Sequence, residues 1–399
     1  MSAVQLGFAE PLDEPLTYTI DDFPNKIGGK PFWLNPEKVL KGDDLKCGVC
    51  EKTMVLLLQT NPSKQFYTPE DEPIEAYHRV LYLFCCMNGT CHKTRWRDCF
   101  KAFRSQLPQI NPYFNPAEGT PAIEIKARLC HLCGLDGSKQ CARCKTTRYC
   151  SREHQLLDWN LGTHKAQCTG TATASSVSSA IKNVLFPEYE LVSEDEPGAD
   201  KPSADDDDVS GDEDEDEHAD AALETKLANV QIEEPDANEK YEDTDVDVDK
   251  AFLRFQNRIL REPEQVVRYS RISYVDGHDL EPLFVSDIGK PAAEDITPCP
   301  HCNGRRTFEF QAMPQLLNVL NIDHYSADAL DWGTVIVYSC LANCQPADGQ
   351  PYMEEIVWRQ MFSEHGMGDS AKAALEREAA LKKVVAPAAS AEENLPETA

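Results

Sequence analysis

The sequence predicts a β-rich α+β protein in which two similar β units, one from each end of the chain, pack into one domain around an inserted finger. Three observations predict it: the spacing of the cysteines, an internal repeat, and the gathering of acidic charge into one stretch. Of 16 cysteines in 399 residues, 14 stand at metal-ligand spacings together with two histidines. Structural zinc takes a closed tetrahedron of thiolates and imidazoles. Four such sites account for Cys47, Cys50, Cys86, Cys91, Cys130, Cys133, Cys141, Cys144, Cys150, His154, His164, Cys168, Cys299, Cys302, Cys340 and Cys344. Only Cys85 and Cys99 are left over, in an aromatic-rich apolar stretch that reads as core.

Residues 1–125 form the N-terminal zinc-ribbon-like half. Leu6-Gly7-Phe8 and Ile27-Gly28-Gly29-Lys30-Pro31-Phe32-Trp33-Leu34 are apolar patches broken by Gly and Pro, which predicts extended chain laid against a core. Gly28-Gly29-Lys30 lacks the spacing of a phosphate loop. Cys47-x2-Cys50 is followed by the strand-like Met54–Leu58, with Gln59 nine residues beyond Cys50; Val80–Phe84 then runs into Cys86-x4-Cys91. The same order returns in residues 250–365: Cys299-x2-Cys302, Phe308-Glu309-Phe310, Gln311 nine beyond Cys302, then Val335–Tyr338 running into Cys340-x3-Cys344. The two segments therefore read as a duplicated module whose copies share a core, since neither has much of its own.

Residues 126–170 form the finger. Eight ligands in 39 residues, with a helix expected within Ser151–Lys165, allow interleaved use: Cys130, Cys133, Cys150 and His154 on one zinc, Cys141, Cys144, His164 and Cys168 on the other. Interleaving braces a segment too short for its own apolar core, and sequential pairing stays open. Trp159 suits the finger's core or a peptide groove.

Residues 171–249 form an acidic linker: from Ser193 to Asp249 there are 25 Asp and Glu against three Lys, out of a net charge of -29 for the chain. Runs such as Asp205–Asp208 and Asp212–Glu217 repel themselves and predict disorder; they repel phosphates and attract basic protein. Val184–Glu190 reads as a short docking segment ahead of the acidic run, and Ser193, Ser203 and Ser210 precede acids as acid-directed kinase substrates do. Leu223, Leu227, Val230 and Ile232 fit both a nuclear export signal, with an export receptor as partner, and a short amphipathic helix. Lys250–Arg261 has helical apolar spacing, and residues 366–399 predict a flexible tail.

With Tyr149-Cys150, Asp158-Trp159 and His164-Lys165 around its ligands, the finger resembles a MYND zinc finger, His154 standing where most have Cys. The two ends resemble the programmed cell death protein 2 family: Leu6-Gly7-Phe8, Gly28-Gly29-Lys30-Pro31-x-Trp33-Leu34, Tyr77-His78-Arg79, Arg104-Ser105-Gln106-Leu107-Pro108, Phe308-Glu309-Phe310-Gln311-x-Met313-Pro314 and Asp331-Trp332-Gly333-Thr334. The resemblance implies a non-catalytic, dedicated chaperone that captures a basic small-subunit ribosomal protein, the one near the mRNA entry channel, during synthesis and serves 40S ribosome biogenesis and rRNA processing. An acidic linker and open β edges would suit such a client.

Other functions fit less well. Pro298-Cys299-Pro300-His301-Cys302 imitates half a zinc deaminase, but the chain has no His-x-Glu to supply the acid/base. Sites closed by four protein ligands leave no position for water. A transcriptional adaptor gripping peptide through the finger is the alternative. Neither direct nucleic-acid binding nor membrane contact is expected. A monomer of the cytoplasm, shuttling to the nucleus, is the expectation. His131 and His301 read as bystanders within knuckle loops, and His78 as either client surface or core.

Overall fold

The computed structural model describes residues 4–12, 23–61, 73–113, 128–162, 164–169, 184–197, 249–270, 280–323, 326 and 328–363. The export-like Leu223–Ile232 segment, Ser203, Ser210, all of the 171–249 linker except residues 184–197 and 249, and the 366–399 tail lie outside them.

Among the described residues, ten strands close into one antiparallel barrel. They are β1 (Gln5–Pro11), β2 (Lys26–Ile27), β3 (Val55–Thr60), β4 (His78–Cys85), β5 (Phe100–Leu107), β8 (Tyr189–Asp195), β9 (Val267–Tyr269), β10 (Arg306–Ala312), β11 (Thr334–Cys340) and β12 (Met353–Gln360). Their order around the wall is β1-β8-β2-β3-β4-β5-β12-β11-β10-β9. The expectation of open β edges is therefore corrected. The ribbon of β1 paired with β8 bridges β9 to β2, giving each described barrel strand a neighbour on both sides. The 184–190 segment is likewise more than a docking patch. Phe186 is buried, and the chain from Tyr189 to Asp195 is a barrel strand, with Ser193 paired to Gly7 inside it. Leu191, packed into the core, outweighs the acids at the strand's exposed positions.

The halves are wired alike. In each, the strand after the Cys-x2-Cys pair meets the next strand with a bulge, between Leu56 and Leu58 in one and between Phe308 and Phe310 in the other. Gln59 accepts from the Phe32 amide at 2.8 Å and donates to the Pro24 carbonyl at 3.2 Å. Gln311 accepts from the Leu283 amide at 2.7 Å and donates to the Leu283 carbonyl at 2.9 Å. Each glutamine thus fastens a covering segment to the outer wall of its half. Each segment also carries a Gly-Lys-Pro, Gly29-Lys30-Pro31 and Gly289-Lys290-Pro291, whose glycine turns at φ 63° and 80°.

Apolar side chains face both ways from the wall. Trp33 and Tyr352 cover Tyr82 outside the first half, with the Trp33 and Tyr82 rings 5.2 Å apart. Phe284 and Ile296 cover Phe308, Ile336, Tyr338 and Trp358 outside the second. Inside, Arg79 of β4 reaches across to Glu309 of β10 in a doubly hydrogen-bonded pair at 2.6 and 2.7 Å, both side chains wholly buried. Ser339 and Tyr269 hydroxyls complete the Glu309 carboxylate. Arg104 and Arg306 share Glu355 beside it.

Of the helices, α1 (Gly89–Arg95), α2 (Arg152–Leu161) and α3 (His164–Thr169) belong to the metal-ligand regions. The helix α4 (Lys250–Arg261) has the bounds its apolar spacing predicts and is capped by Asp249; α5 (Leu316–Val319) is one turn. Among the described residues no helix is long and apolar enough to cross a membrane.

Candidate metal centres

All four knuckles share one backbone turn. After the second cysteine, Glu51, Gly134, Lys145 and Asn303 have φ of 59°, 73°, 55° and 56°. Their amides donate back to the carbonyls of Cys47, Cys130, Cys141 and Cys299. The left-handed residue folds the loop so that two thiols converge, and three of the four loops accept the strain of a side chain there.

The structure brings the sixteen predicted ligands into four groups, each with its ligand atoms within 4.8 Å of one another: Cys47, Cys50, Cys86 and Cys91; Cys130, Cys133, Cys150 and His154; Cys141, Cys144, His164 and Cys168; Cys299, Cys302, Cys340 and Cys344. This donor chemistry, all cysteine at the barrel and three cysteines with one histidine at each finger site, fits zinc, and the finger has the interleaved geometry. β5 and β12 are antiparallel neighbours, and each begins beside its own half's group, so the two all-cysteine groups sit at opposite ends of the barrel.

In the finger, the Ser151 hydroxyl caps α2 by accepting from the His154 amide at 3.1 Å, which sets His154 one turn from Cys150. His154 faces its cysteines through Nδ1, 3.2 Å from Cys150 Sγ. His164 faces Cys144 through Nε2 at 3.7 Å, while its Nδ1 lies 3.1 Å from the Thr147 hydroxyl, a contact that orients the ring. Donors from Thr146 and Thr147 pull the Cys144 thiol down to about 5, ready as a thiolate ligand. The hairpin of β6 (Lys139–Gln140) and β7 (Arg148–Tyr149) spaces the two sites.

Trp159 is not the finger's core; it is half-buried, with its ring 5.9 Å from that of His164. Tyr149, wholly buried, takes that place and donates to Asp158 at 2.7 Å. His131 stands outside the ligand groups, 2.7 Å from the same carboxylate. Burial opposes the Asp158 charge, but these two hydrogen bonds prevail and hold its carboxyl below the usual range. His301 also lies outside the ligand groups, and His78 is buried with its ring edge-on to Tyr77. Cys85 and Cys99 are buried, and burial pushes both thiols up; Cys99 Sγ lies 3.8 Å from Cys47 Sγ.

The finger is part of the body. Trp33 donates its indole N–H to the Gly134 carbonyl at 2.7 Å, Lys30 donates to the His131 carbonyl at 2.6 Å, and the Asp136 amide donates to Leu40 at 2.9 Å. A cavity of about 390 Å³ lies along this joint, lined by Pro31, Phe32, Trp33, Pro36, Leu129 and His131 among others.

Fold and sites define a zinc-binding barrel protein with an inserted finger. Residues 130–168 match the MYND finger, residues 3–120 the programmed cell death protein 2 N-terminal domain, and residues 249–361 its C-terminal putative domain. The chain belongs to the programmed cell death protein 2 family. It is 34% identical over 369 residues to programmed cell death protein 2 of Bos taurus, covering 89% of this chain and 96% of that one. It is 35% identical over 377 residues to that of Rattus norvegicus, covering 90% and 97%. Over 111 residues, 27% of each chain, it is 28% identical to the probable 20S rRNA accumulation protein 4 of Schizosaccharomyces pombe. No solved structure matches.

Proposed function

We propose that this protein is a dedicated chaperone that captures a basic small-subunit ribosomal protein during its synthesis and escorts it into 40S assembly. Charge segregation carries the reading: 25 acids against three lysines within Ser193–Asp249, beside a nearly balanced remainder of the chain. Such a stretch attracts a basic client and repels rRNA. The name of the fission-yeast relative, with its reference to 20S rRNA, supports the same process. In this reading the barrel halves are copies of one duplicated unit, and the protein is a non-catalytic monomer. It works in the cytoplasm and passes through the nucleus, with Leu223–Ile232 as the export segment.

The test is rapid tagged purification of the full chain from translation-arrested cells, followed by identification of bound protein and messenger RNA. One dominant basic ribosomal protein together with its own message is expected. A set of nuclear regulators with no such message would overturn the reading. The cavity beside the finger favours that second reading, a peptide-binding adaptor. Leu129→Asp, which places charge in the cavity wall, would then abolish capture, whereas ribosomal-protein capture would survive it.

A further inference from the structure

The two halves meet at two seams of the wall, each a three-residue ladder: β1 with β9 over Gln5–Gly7 and Val267–Tyr269, and β5 with β12, the seam that the C-terminal zinc loop spans. β5 and β12 pair only over Ala102–Arg104 and Met353–Glu355, whereas β5 pairs with β4 along its whole length. Beyond Arg104, β5 runs alongside the C-terminal zinc loop, Cys340–Cys344. Gln106 donates to the Asn343 carbonyl at 3.0 Å, Arg104 to the Cys344 carbonyl at 3.1 Å, and Arg79 to the Asn343 side chain at 3.0 Å. Glu355 of β12 accepts from the Cys340 amide at 3.3 Å and from Arg104 at 2.8 Å. Three N-terminal-half side chains are thus anchored on a loop whose ends are two metal ligands. Tyr352, hydrogen-bonded to the Asn35 carbonyl at 2.8 Å, crosses the same seam just after the loop.

We propose that the β5–β12 seam is the opening line of the barrel and that the zinc of Cys299, Cys302, Cys340 and Cys344 is its latch. Without the ion, Cys340 and Cys344 no longer fix the carbonyls that Gln106 and Arg104 hold, and the three-residue ladder is left to join two strands lined by buried charge. Burying charge is costly unless every hydrogen bond is kept, so the interior favours opening once the loop is released. The latch is also the reachable site: Cys302 is exposed, while the other three groups contain no exposed ligand. Metal-coupled order of this kind appears as local hydrogen exchange. The inference stands apart from the identity of any client.

The experiment is hydrogen exchange of the full zinc-loaded chain and of Cys302→Ser, with bound zinc counted in parallel. Loss of this one ion should raise exchange roughly tenfold or more in both β5 and β12, while β3 and β4 stay protected. If β12 alone loosens and β5 keeps its protection, the latch is refuted. Gln106→Leu keeps every zinc ligand and provides the reverse test. It removes the bond to the Asn343 carbonyl and the one Gln106 accepts from Arg104, and should speed transfer of this zinc to a chelating dye roughly tenfold or more while the other three ions keep their original rates. An unchanged rate refutes the coupling.

Discussion

The Arg79–Glu309 pair inside the barrel gives a prediction whose size follows from its surroundings. Both side chains are wholly buried, so removing one leaves the other a buried charge without its counter-charge. Arg79→Met or Glu309→Leu alone should therefore cost about 3–5 kcal/mol. Glu309 stands at the bulge where the first half has Leu57, a buried leucine, so the backbone there suits an apolar residue. In the double variant no charge is stranded. What remains is the loss of partners for Tyr269, Ser339 and Asn343, about 1 kcal/mol each. The double should thus cost about 3 kcal/mol, no more than either single. Thermal unfolding at saturating zinc measures this through near-ultraviolet circular dichroism. Each single variant should lower the midpoint by roughly 6–20 °C for a domain of this size. Additive losses, with the double far below both singles, would refute the mutually dependent pair.

Cobalt in place of zinc should give the absorption signature of three thiolates and one imidazole at both finger sites. Sequential pairing would instead give one all-thiolate site and one site with two thiolates and two imidazoles, and that mixed signature would refute the interleaved assignment. Trp33→Ala, which removes a buried ring and its bond to Gly134, should cost about 3–5 kcal/mol and raise exchange in the finger, as hydrogen exchange would report. Gly28→Ala should yield little soluble protein in a solubility assay, because its Cβ would meet the Pro187 carbonyl oxygen at 2.0 Å and the backbone lies at φ 61°. Gln311→Ala strips partners from both the amide and the carbonyl of Leu283 and should cost about 2 kcal/mol in urea unfolding, with Gln59→Ala similar in size.

The ligand groups were legible because zinc chemistry is local: two thiols three positions apart converge through one turn whatever surrounds them. α4 was legible because its apolar spacing and the Asp249 cap are local too. Barrel closure was not, because closure depends on which strands meet. β2 and β9 span two and three residues and carry no periodicity to read. β8 lay hidden at the start of the acidic run, where alternation with charged residues resembles linker. The ionic interior was equally out of reach: Arg79 and Glu309 are 230 residues apart, and each alone reads as surface. One signal was available and missed. Gly29-Lys30-Pro31 and Gly289-Lys290-Pro291 repeat ahead of the two knuckles and mark the covering segments that Gln59 and Gln311 fasten.

A barrel with an ionic interior and two strands so short needs another source of cohesion, and the positions of the all-cysteine groups indicate what it is. The chain joins β3 to β4 at one end of that pair, through residues 61–77. Cys47 and Cys50 precede β3, and Cys86 and Cys91 follow β4, so the metal group sits at the other end, where the two strands would otherwise splay. The same holds for β10 and β11 with Cys299, Cys302, Cys340 and Cys344. Each ion therefore closes its hairpin into a ring and removes loop-closure freedom from the unfolded chain, a gain that requires no apolar burial. With both hairpins closed this way, the interior is free to hold charge. Chelation should accordingly abolish the fold at the barrel as well as the finger, rather than leave a stable barrel with an unfolded finger attached. Circular dichroism in the β region during zinc withdrawal distinguishes the two outcomes, and a β signal that persists after all four ions are gone would refute this account of how the barrel is held.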